Sequence, residues 1–472
     1  MWSEMRHLLL LCLLVLGGCA AGPDYTRPAV DMPGDWRIPV EEAAEIANIA
    51  WWREFNDPVL DELIETALLN NKDLRIAAAR VEAFAARIGI TRADAFPLIG
   101  YGASGARGER APNSGTSDLY SATLNLGWEL DVWGRIRRGT EAARAELLAA
   151  EEGRRTVILT LVTSVATGYV QLRNLDRQLE IARGTLASRA ESVRLFEIKL
   201  RGGVISELEL AQVRSEYELA AVRVPSLERQ IALQENALSI LLGDNPGPIK
   251  RGKAVDALQL PTVPAGVPSD VLVQRPDVRG AEQRLIAANA RIGVARAAWF
   301  PRISLTGLLG QTSSELSDLF ASSSTVWDIG GGVLGPVFEG GRIKGQIQVS
   351  EAQQRQALQE WLRAIQTAFR EINDALISVE KRREELEAQA RQVAALRIYA
   401  DKARARYNEG YVSYIEVLDA ERRLFDSELL FEQGRAELYA ALINVYKAMG
   451  GGWVSKAERS IGLPDEKQAK AE

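Results

Sequence analysis

Hydrophobic and polar positions follow two different periods along the chain, and each period predicts a different element. From 140 to 201, apolar side chains recur every three or four positions with no proline, a pattern typical of a long helix in a coiled coil. The stretch 345–408 is likewise long and free of proline. At ~1.5 Å per residue each helix would be about 90 Å long, which exceeds a globular domain. Shorter partner helices are predicted over 205–242 and 413–449, so each half of the chain supplies an antiparallel helical hairpin.

A period of two marks the segments that precede the long helices. Residues 120–133 alternate, with Leu124 and Leu126 on one face and Thr123 and Asn125 on the other. This pattern predicts a β-strand whose length suits a membrane crossing. A second hairpin repeats the pattern less cleanly, with apolar positions in two strands at Ile303, Leu305, Leu309, Trp327, Ile329, Val333 and Val337. Soluble hairpins with one buried face are the alternative interpretation.

The first 19 residues have the features of an export signal. Arg6 precedes an apolar run of nine residues, 8–16, which is too short to span a bilayer and fits a signal peptide. Small residues then stand directly before Cys19, in an arrangement that resembles a bacterial lipobox. The resemblance implies cleavage before Cys19, acylation of that residue and, with Ala20 next, sorting to the outer membrane. A plain secretory signal that is cut nearby is the alternative.

The chain contains one structural unit twice. Residues 75–97 match 279–301 at an offset of 204, including Phe96-Pro97 against Phe300-Pro301. Two further matches lie at an offset of 207 and follow in the same order: Gly134-Arg135-Ile136 with Gly341-Arg342-Ile343, and Gly203, Ser206, Glu209 with Gly410, Ser413, Glu416. Each unit therefore reads helix, β-hairpin, long helix, turn, second helix.

Four strands per chain require partners if they cross a membrane. Single-chain barrels begin at eight strands, and an open edge in lipid leaves backbone groups unpaired at several kcal/mol each. A dimer would close eight strands and a trimer twelve. This argument predicts an oligomer and leaves its number open.

Composition excludes most enzyme classes. The 472 residues include one histidine and two cysteines, and cleavage before Cys19 removes both His7 and Cys12. Catalysis by Cys or His is then excluded, and zinc or haem sites are disfavoured, so we expect no cofactor, no metal and no enzymatic activity. The net charge of −6 lacks the basic excess of a nucleic-acid-binding protein. Gly330-Gly331-Gly332 lacks the Lys-Ser/Thr that follows a phosphate loop.

Several segments together resemble one family, the TolC-like outer-membrane factors, in their acylated NodT and OprM branch. They are FNDPVLDELIETALLNNKDLRIAAARV (55–81), WELDVWGRIRRG (128–139), QRPDVRGAEQRLIAANARIGVARAAWFPRISLTG (274–307) and RYNEGYVSYIEVLDAERRLFDSE (406–428). The resemblance implies a mainly α fold with a β membrane part, assembled as a homotrimer with a 12-stranded β-barrel and a periplasmic α-helical barrel. It also implies a periplasmic adaptor and an inner-membrane pump as partners, and expulsion of small solutes.

The resemblance further implies roles for residues near the turns that join the paired helices. A channel gate at the periplasmic end falls on Tyr407, Glu416, Asp419, Arg422 and, in the first unit, Glu209. Contact with the adaptor falls on the turn residues themselves: Gly202, Gly203, Val204, Gly410, Tyr411 and Val412. The family often has a basic residue where Val412 stands, so a latch through that position is not expected. A helix N-terminal region that is simply enriched in acids is the alternative for each gate residue.

The predicted organisation of the chain follows from these segments. It runs as signal peptide 1–18, lipid-anchored extension 19–58, helix 59–97, β-hairpin 98–133, coiled-coil hairpin 134–242, linker 243–276, helix 277–301, β-hairpin 302–338, coiled-coil hairpin 339–449 and C-terminal tail 450–472. The leading hypothesis for function is an efflux duct of a resistance-nodulation-division type system. A conduit for type I protein secretion and an envelope-tethering lipoprotein without a pore are the alternatives.

Overall fold

The computed structural model describes residues 20–30, 50–109, 116–261, 274–450, 453–454 and 457. The signal peptide and Cys19 lie outside these ranges. The chain divides into two compact units. The first comprises Met1–Val30, Ala79–Glu152 and Val278–Ala364, and the second comprises Asp31–Ala78, Gly153–Asp277 and Ile365–Glu472.

Within these described ranges helices dominate and four strands form one sheet, which confirms the predicted fold class. The elements are α1 (Pro58–Asn70), α2 (Lys72–Ala93), β1 (Leu98–Glu109), β2 (Thr116–Leu130), α3 (Arg135–Arg201), α4 (Glu207–Leu242), α5 (Pro276–Ala297), β3 (Arg302–Ser313), β4 (Thr325–Leu334), α6 (Arg342–Asn408) and α7 (Tyr414–Ala448). The two long helices, α3 and α6, have 67 residues each. None of the helices within the described ranges is long and apolar enough to cross a membrane.

The sheet of the first unit is antiparallel in the order β1-β2-β3-β4. Its register places Tyr101 opposite Leu124, Leu124 opposite Leu309, and Leu309 opposite Trp327. Residues paired across strands point to the same face, so this row continues the apolar alternation over all four strands. Tyr101 is 91% exposed and Trp327 71% exposed, so the described chain leaves this apolar face uncovered.

Two strand ends differ from the sequence prediction. Strand β2 ends at Leu130 and not at 133, because the Asp131 carboxylate accepts hydrogen bonds from the backbone N–H of Ile136 and Arg137 and so begins α3. Val337 lies outside β4, which ends at Leu334. The ladder stops there because Pro336 has no N–H to donate.

The helix expected over 59–97 is two helices, α1 and α2, which Asn71 separates. The Asn71 side chain accepts a hydrogen bond from Leu74 N at 3.0 Å, and its amide group donates to the Leu241 carbonyl at 2.9 Å. A side chain that caps the second helix while it binds α4 holds the break in place.

The segment 20–30 lies along the helices of the first unit. Gly22 packs on Gly293 so closely that a Cβ on either residue would meet backbone atoms at 2.5 Å. Asp24 forms an ion pair with the buried Arg138 of α3, and Arg27 forms one with Glu282 of α5. The segment therefore joins a helix of the first repeat to a helix of the second.

The second unit has an aromatic core at the end of α7. Trp51 stacks on Tyr446 at 5.0 Å, and Trp453 meets Trp51 edge-on at 6.1 Å. Beside this core the Asp57 carboxylate, 1% exposed, caps α1 through Val59 N and accepts a hydrogen bond from the Tyr169 hydroxyl at 2.7 Å. These contacts gather sequence-distant segments around α3 and α7.

Candidate functional site: the turns that join the paired helices

Two tight turns reverse the chain between the paired helices of the second unit. Turn 1 (residues 202–206) joins α3 to α4, and turn 2 (residues 409–413) joins α6 to α7. Gly203 has φ +72° and Gly410 has φ +81°, in the left-handed region that glycine adopts without strain. Both glycines therefore end a long helix in the same way at equivalent positions of the two repeats.

Turn 1 begins α4 with a reciprocal cap. Glu209 N donates to the Ser206 hydroxyl, while the Glu209 carboxylate accepts a hydrogen bond from Ser206 N at 2.8 Å. This capping box satisfies two backbone donors that the first helical turn would otherwise leave unpaired. Glu209, predicted as a gate residue, thus uses its carboxylate within its own turn.

Turn 2 has the same residue types and a different arrangement. The Ser413 side chain makes no capping hydrogen bond, and the Glu416 carboxylate instead lies 3.8 Å from the Arg406 guanidinium. Both side chains belong to the same helical hairpin. Glu416, the counterpart of Glu209, is therefore held by an exposed ion pair and not by a cap.

An aromatic cluster of both hairpins lies beneath the turns. Phe196 of α3 and the buried Tyr414 of α7 have ring centroids 4.3 Å apart, and Tyr407 of α6 meets Tyr414 at 4.8 Å. Burial raises the pKa of the Tyr414 hydroxyl above its ordinary value, so this group stays neutral. Leu210 and Val417 extend the same core, which packs the two hairpin ends on each other within one chain.

Lys199 completes this cluster and was missed by the sequence reasoning. Its ammonium group donates a hydrogen bond to the Tyr407 hydroxyl at 3.0 Å. The same nitrogen lies 5.0 Å from the Tyr407 ring centroid and 5.2 Å from that of Phe196, within cation–π range. No sequence motif could have found it, because the partners are 208 positions apart.

Asp419 and Arg422 are adjacent in space, as their spacing of three predicts. Arg422 donates to the Asp419 carboxylate at 2.9 Å, and Arg423 forms a second ion pair with it at 2.8 Å. Asp419 is partly buried, while both guanidinium groups are exposed. Glu416 and Asp419 are therefore already partnered by arginines within the chain.

Several apolar side chains are exposed at the turns. Val204 and Tyr411, both predicted to contact an adaptor, are each 73% exposed, and Leu208 and Ile415 are exposed beside them. Val412 is half-buried. Within the described ranges no group of three or more His, Cys, Asp or Glu side chains could hold a metal ion. This end of the unit therefore has exposed apolar side chains close to the ion pairs of Glu416 and Asp419.

Comparison with known proteins agrees with this architecture. The family model for outer membrane efflux proteins matches residues 63–244 and 267–451, two segments whose starts differ by 204 and whose ends differ by 207, the offsets of the internal repeat. The solvent efflux pump outer membrane protein SrpC of Pseudomonas putida is 38% identical over 467 residues, which cover 95% of this chain and 99% of that protein. The cation efflux system protein CusC of Escherichia coli O6:H1 is 38% identical over 454 residues, 94% of this chain and 98% of that protein.

A solved structure gives the same result. The open state of the MtrE outer membrane channel of Neisseria gonorrhoeae superposes with a TM-score of 0.85 at 30% identity, covering 92% of this chain and 99% of that one. The similarity spans both repeats and confirms the resemblance to TolC-like outer-membrane factors. These relatives are efflux channels and not enzymes. The chain belongs to the outer membrane efflux protein family.

Proposed function

We propose that the chain is the outer-membrane channel of a tripartite efflux system of the resistance-nodulation-division type. It conducts drugs or other small solutes passively to the exterior, and it receives them from an inner-membrane pump through a periplasmic adaptor. The observation that carries the proposal is the sheet, whose apolar face is uncovered across all four strands in a chain of this family. Two relatives support the role, since SrpC is the outer membrane protein of a solvent efflux pump and CusC is a protein of a cation efflux system.

The proposed assembly is a homotrimer. Among the described residues, strands β1 and β4 each have one neighbour in the sheet and one free edge. Backbone groups on a free edge cannot stay unpaired in lipid, so edges of neighbouring copies must pair. Three copies would close twelve strands, and their paired helices would join into one helical barrel.

The proposed gate lies at turn 2 and the adjacent part of α7. Glu416, Asp419 and Arg422 would be repeated three times around the pore, with Tyr407 and Glu209 nearby. The charges of Glu416 and Asp419 lie close to turn 2, with arginine partners in the same hairpin, and this supports rings of charged side chains at this end of the pore. The exposed apolar side chains of turns 1 and 2 support adaptor docking there, including Val204 and Tyr411.

Cys19 is the proposed lipid anchor. The residue follows the lipobox-like segment, and the folded segment that begins at Ala20 lies against the base of the sheet, where Ala21 N donates to the Trp133 carbonyl at 2.9 Å. Mass spectrometry of the purified protein should find an N-terminal diacylglyceryl cysteine. An unmodified N-terminus at another residue would refute the anchor.

Planar-bilayer recording of the purified trimer tests the channel and its gate. The wild-type protein should show a small, mostly closed conductance, because the charged side chains of the three copies would narrow the pore at this end. Glu416→Ala and Asp419→Ala should each raise the open probability. Glu82→Ala, which removes an exposed acid on α2, is the matched control and should leave it unchanged.

The outcomes separate two questions. A trimer that gives no conductance under any condition would refute the channel. A normal channel whose conductance ignores both substitutions would refute the gate assignment alone.

A further inference from the structure

A cavity of about 480 Å³ lies where the sheet of the first unit meets its helices. Three junctions of the chain form its wall: the end of β2 with the start of α3, the end of α5 with the start of β3, and the end of β4 with the start of α6. Among the described residues that line it, none belongs to turn 1, turn 2 or the proposed gate. Its volume is in the range of small-molecule sites in proteins.

The register of the sheet shows on which face the strand residues of the cavity lie. Arg302 stands seven positions before Leu309 in β3, and Glu129 stands five positions after Leu124 in β2. Odd separations along a strand place side chains on opposite faces. Arg302 and Glu129 therefore point away from the apolar face that carries Leu124 and Leu309. In the proposed channel the apolar face is turned to lipid, so these two charged side chains are on the pore side.

Two of the three arginines that line the cavity are already paired. Arg135 donates to the Glu129 carboxylate at 2.9 and 3.1 Å. Arg342 donates to the Glu339 carboxylate at 2.6 Å. Each of these arginines thus neutralises one acid of the lining, and neither pair leaves a net charge.

The remaining acid of the lining is also engaged, but the remaining arginine is not. The Asp131 carboxylate accepts hydrogen bonds from two backbone N–H groups at the start of α3 and forms an ion pair with Arg137 at 3.5 Å. Within the part of the chain that the structure describes, the exposed Arg302 guanidinium has no hydrogen bond and no ion pair. Its charge is therefore available to an anionic ligand.

An aromatic pair gives the same cavity an apolar wall. The rings of Trp133 and Phe300 are stacked, with centroids 4.6 Å apart and an angle of 18° between their planes. Trp133 Nε1 donates to the Pro301 carbonyl at 2.8 Å, which fixes the orientation of the indole. Leu334 adds a further apolar side chain. A ligand in this cavity would meet a cation and an apolar surface together.

The two repeats differ at the position of this cation. With the offset of 204, Pro301-Arg302-Ile303 corresponds to Pro97-Leu98-Ile99. Leu98 is the first residue of β1, as Arg302 is of β3. The repeated backbone therefore does not need an arginine at the start of the strand, and the charge of Arg302 has no structural partner that explains it.

We propose that this cavity is a binding site for amphiphilic organic anions that pass through the pore. Arg302 binds their carboxylate or sulfonate group, and the Trp133–Phe300 pair contacts their apolar body. The proposal depends on the proposed function, and it names a class of solute for that channel. A guanidinium group suits such ligands because its N–H groups can pair with two oxygens of one anion. A homotrimer would carry the site three times around the pore.

Isothermal titration calorimetry of the purified trimer in phosphatidylcholine nanodiscs tests the site, with 2-naphthoate as the probe. Its ring suits the aromatic wall and its carboxylate suits Arg302. After subtraction of the heat measured with protein-free nanodiscs, we expect saturable binding at one site per chain. Arg302→Gln should weaken the affinity about tenfold, because a hydrogen bond between charged groups is lost. Arg302→Lys keeps the charge and should weaken it by about threefold at most.

Controls separate the charge of Arg302 from general effects. Arg355→Gln removes an exposed arginine of α6 outside the cavity lining and should leave the affinity unchanged. The uncharged analogue 2-naphthamide should bind the wild type and Arg302→Gln equally weakly. Because Arg302 is exposed, its variants should melt at the wild-type midpoint. If Arg302→Gln folds poorly, Arg302→Lys and the comparison of naphthoate with naphthamide on the wild type still test the site.

A second set of nanodiscs tests the side from which the ligand enters. Phosphatidylglycerol replaces part of the phosphatidylcholine, and added salt screens the surface charge in both sets. The affinity for 2-naphthoate should be the same in both, because the site lies on the pore side. A large loss of affinity would show that anionic lipid headgroups occupy the cavity, and it would overturn the assignment to solutes in the pore.

The results that overturn the site differ from those that overturn the channel. The site is wrong if 2-naphthoate does not saturate, if Arg302→Gln binds it as tightly as the wild type does, or if 2-naphthamide binds as tightly as 2-naphthoate. A trimer that conducts in planar bilayers but shows one of these results would refute the site alone. A trimer that binds 2-naphthoate through Arg302 but never conducts would refute the proposed channel.

Discussion

Asp57 offers a direct test of how the second unit is held together. Its carboxylate accepts three hydrogen bonds: from Val59 N at 3.0 Å, from the Tyr169 hydroxyl at 2.7 Å and from Lys253 N at 2.9 Å. The first bond caps α1, and the other two join α1 to α3 and to the segment that follows α4. The Tyr169 hydroxyl in turn accepts a hydrogen bond from Gly252 N at 2.9 Å.

The cost of removing this carboxylate can be worked out from these bonds. Loss of a helix N-cap costs about 1 kcal/mol, and each buried hydrogen bond to a charged group contributes about 1.5 kcal/mol or more. Asp57→Ala should therefore destabilise the fold by about 4 kcal/mol. Asp57→Asn should cost less, because the amide oxygen can still cap Val59 N while its NH₂ group faces the Lys253 N–H, another donor.

Thermal unfolding followed by circular dichroism measures the effect. At roughly 2 °C per kcal/mol for a unit of this size, Asp57→Ala should lower the midpoint by about 8 °C, with Asp57→Asn between it and the wild type. Asp73→Ala, which removes an exposed acid from the first turn of α2, is the control. An Asp57→Ala protein that melts within 1 °C of the wild type would show that this network does not stabilise the unit.

Two further predictions concern burial and capping. Glu432 is 5% exposed, and its burial raises the pKa of the carboxyl although Arg435 and Arg177 lie nearby and lower it. The ionised carboxylate therefore destabilises the fold. This destabilisation disappears as pH falls through the raised pKa, because the group then becomes protonated. Glu432→Gln should raise the melting midpoint at pH 8 and leave it unchanged near pH 4. If the variant and the wild type had equal midpoints at both pH values, this reasoning would be contradicted. Ser206→Ala should cost about 1 kcal/mol and speed amide exchange at the start of α4, whereas Ser413→Ala, which removes no capping bond, should leave α7 unaffected. Equal exchange rates in the two variants would contradict the difference between the caps.

The elements were predictable from sequence because their periods follow from local geometry. Alternation around Leu124 predicted a strand face, and the register of the sheet continues that face through Leu309 and Trp327. Spacings of three and four predicted the long helices, and glycines at 203 and 410 predicted their ends. The turn residues could likewise be placed, because they follow from the repeat.

What was not predictable depends on contacts between distant segments. The break at Asn71 needs the Leu241 carbonyl, 170 positions away. The Asp57 network needs Tyr169 and Lys253, and nothing in the local pattern around Asp57 indicates more than a helix cap. The predicted end of β2 was wrong because Val132 continues the alternation of the strand, whereas the Asp131 carboxylate accepts a hydrogen bond from Ile136 N at the start of α3.

The differences between the two repeats carry more information about function than their similarities. Positions that the backbone alone dictates are alike: Gly203 and Gly410 have nearly the same φ and both end a long helix. Positions whose role depends on a side-chain contact have diverged. Asp131, which caps α3, has Phe338 as its counterpart. Lys199 contacts the other hairpin, whereas its counterpart Arg406 pairs within its own hairpin. A duplicated unit that served only to complete a ring could keep identical ends. The two hairpin ends are held by different contacts instead, and this difference is what separates the proposed gate at turn 2 from its counterpart at turn 1.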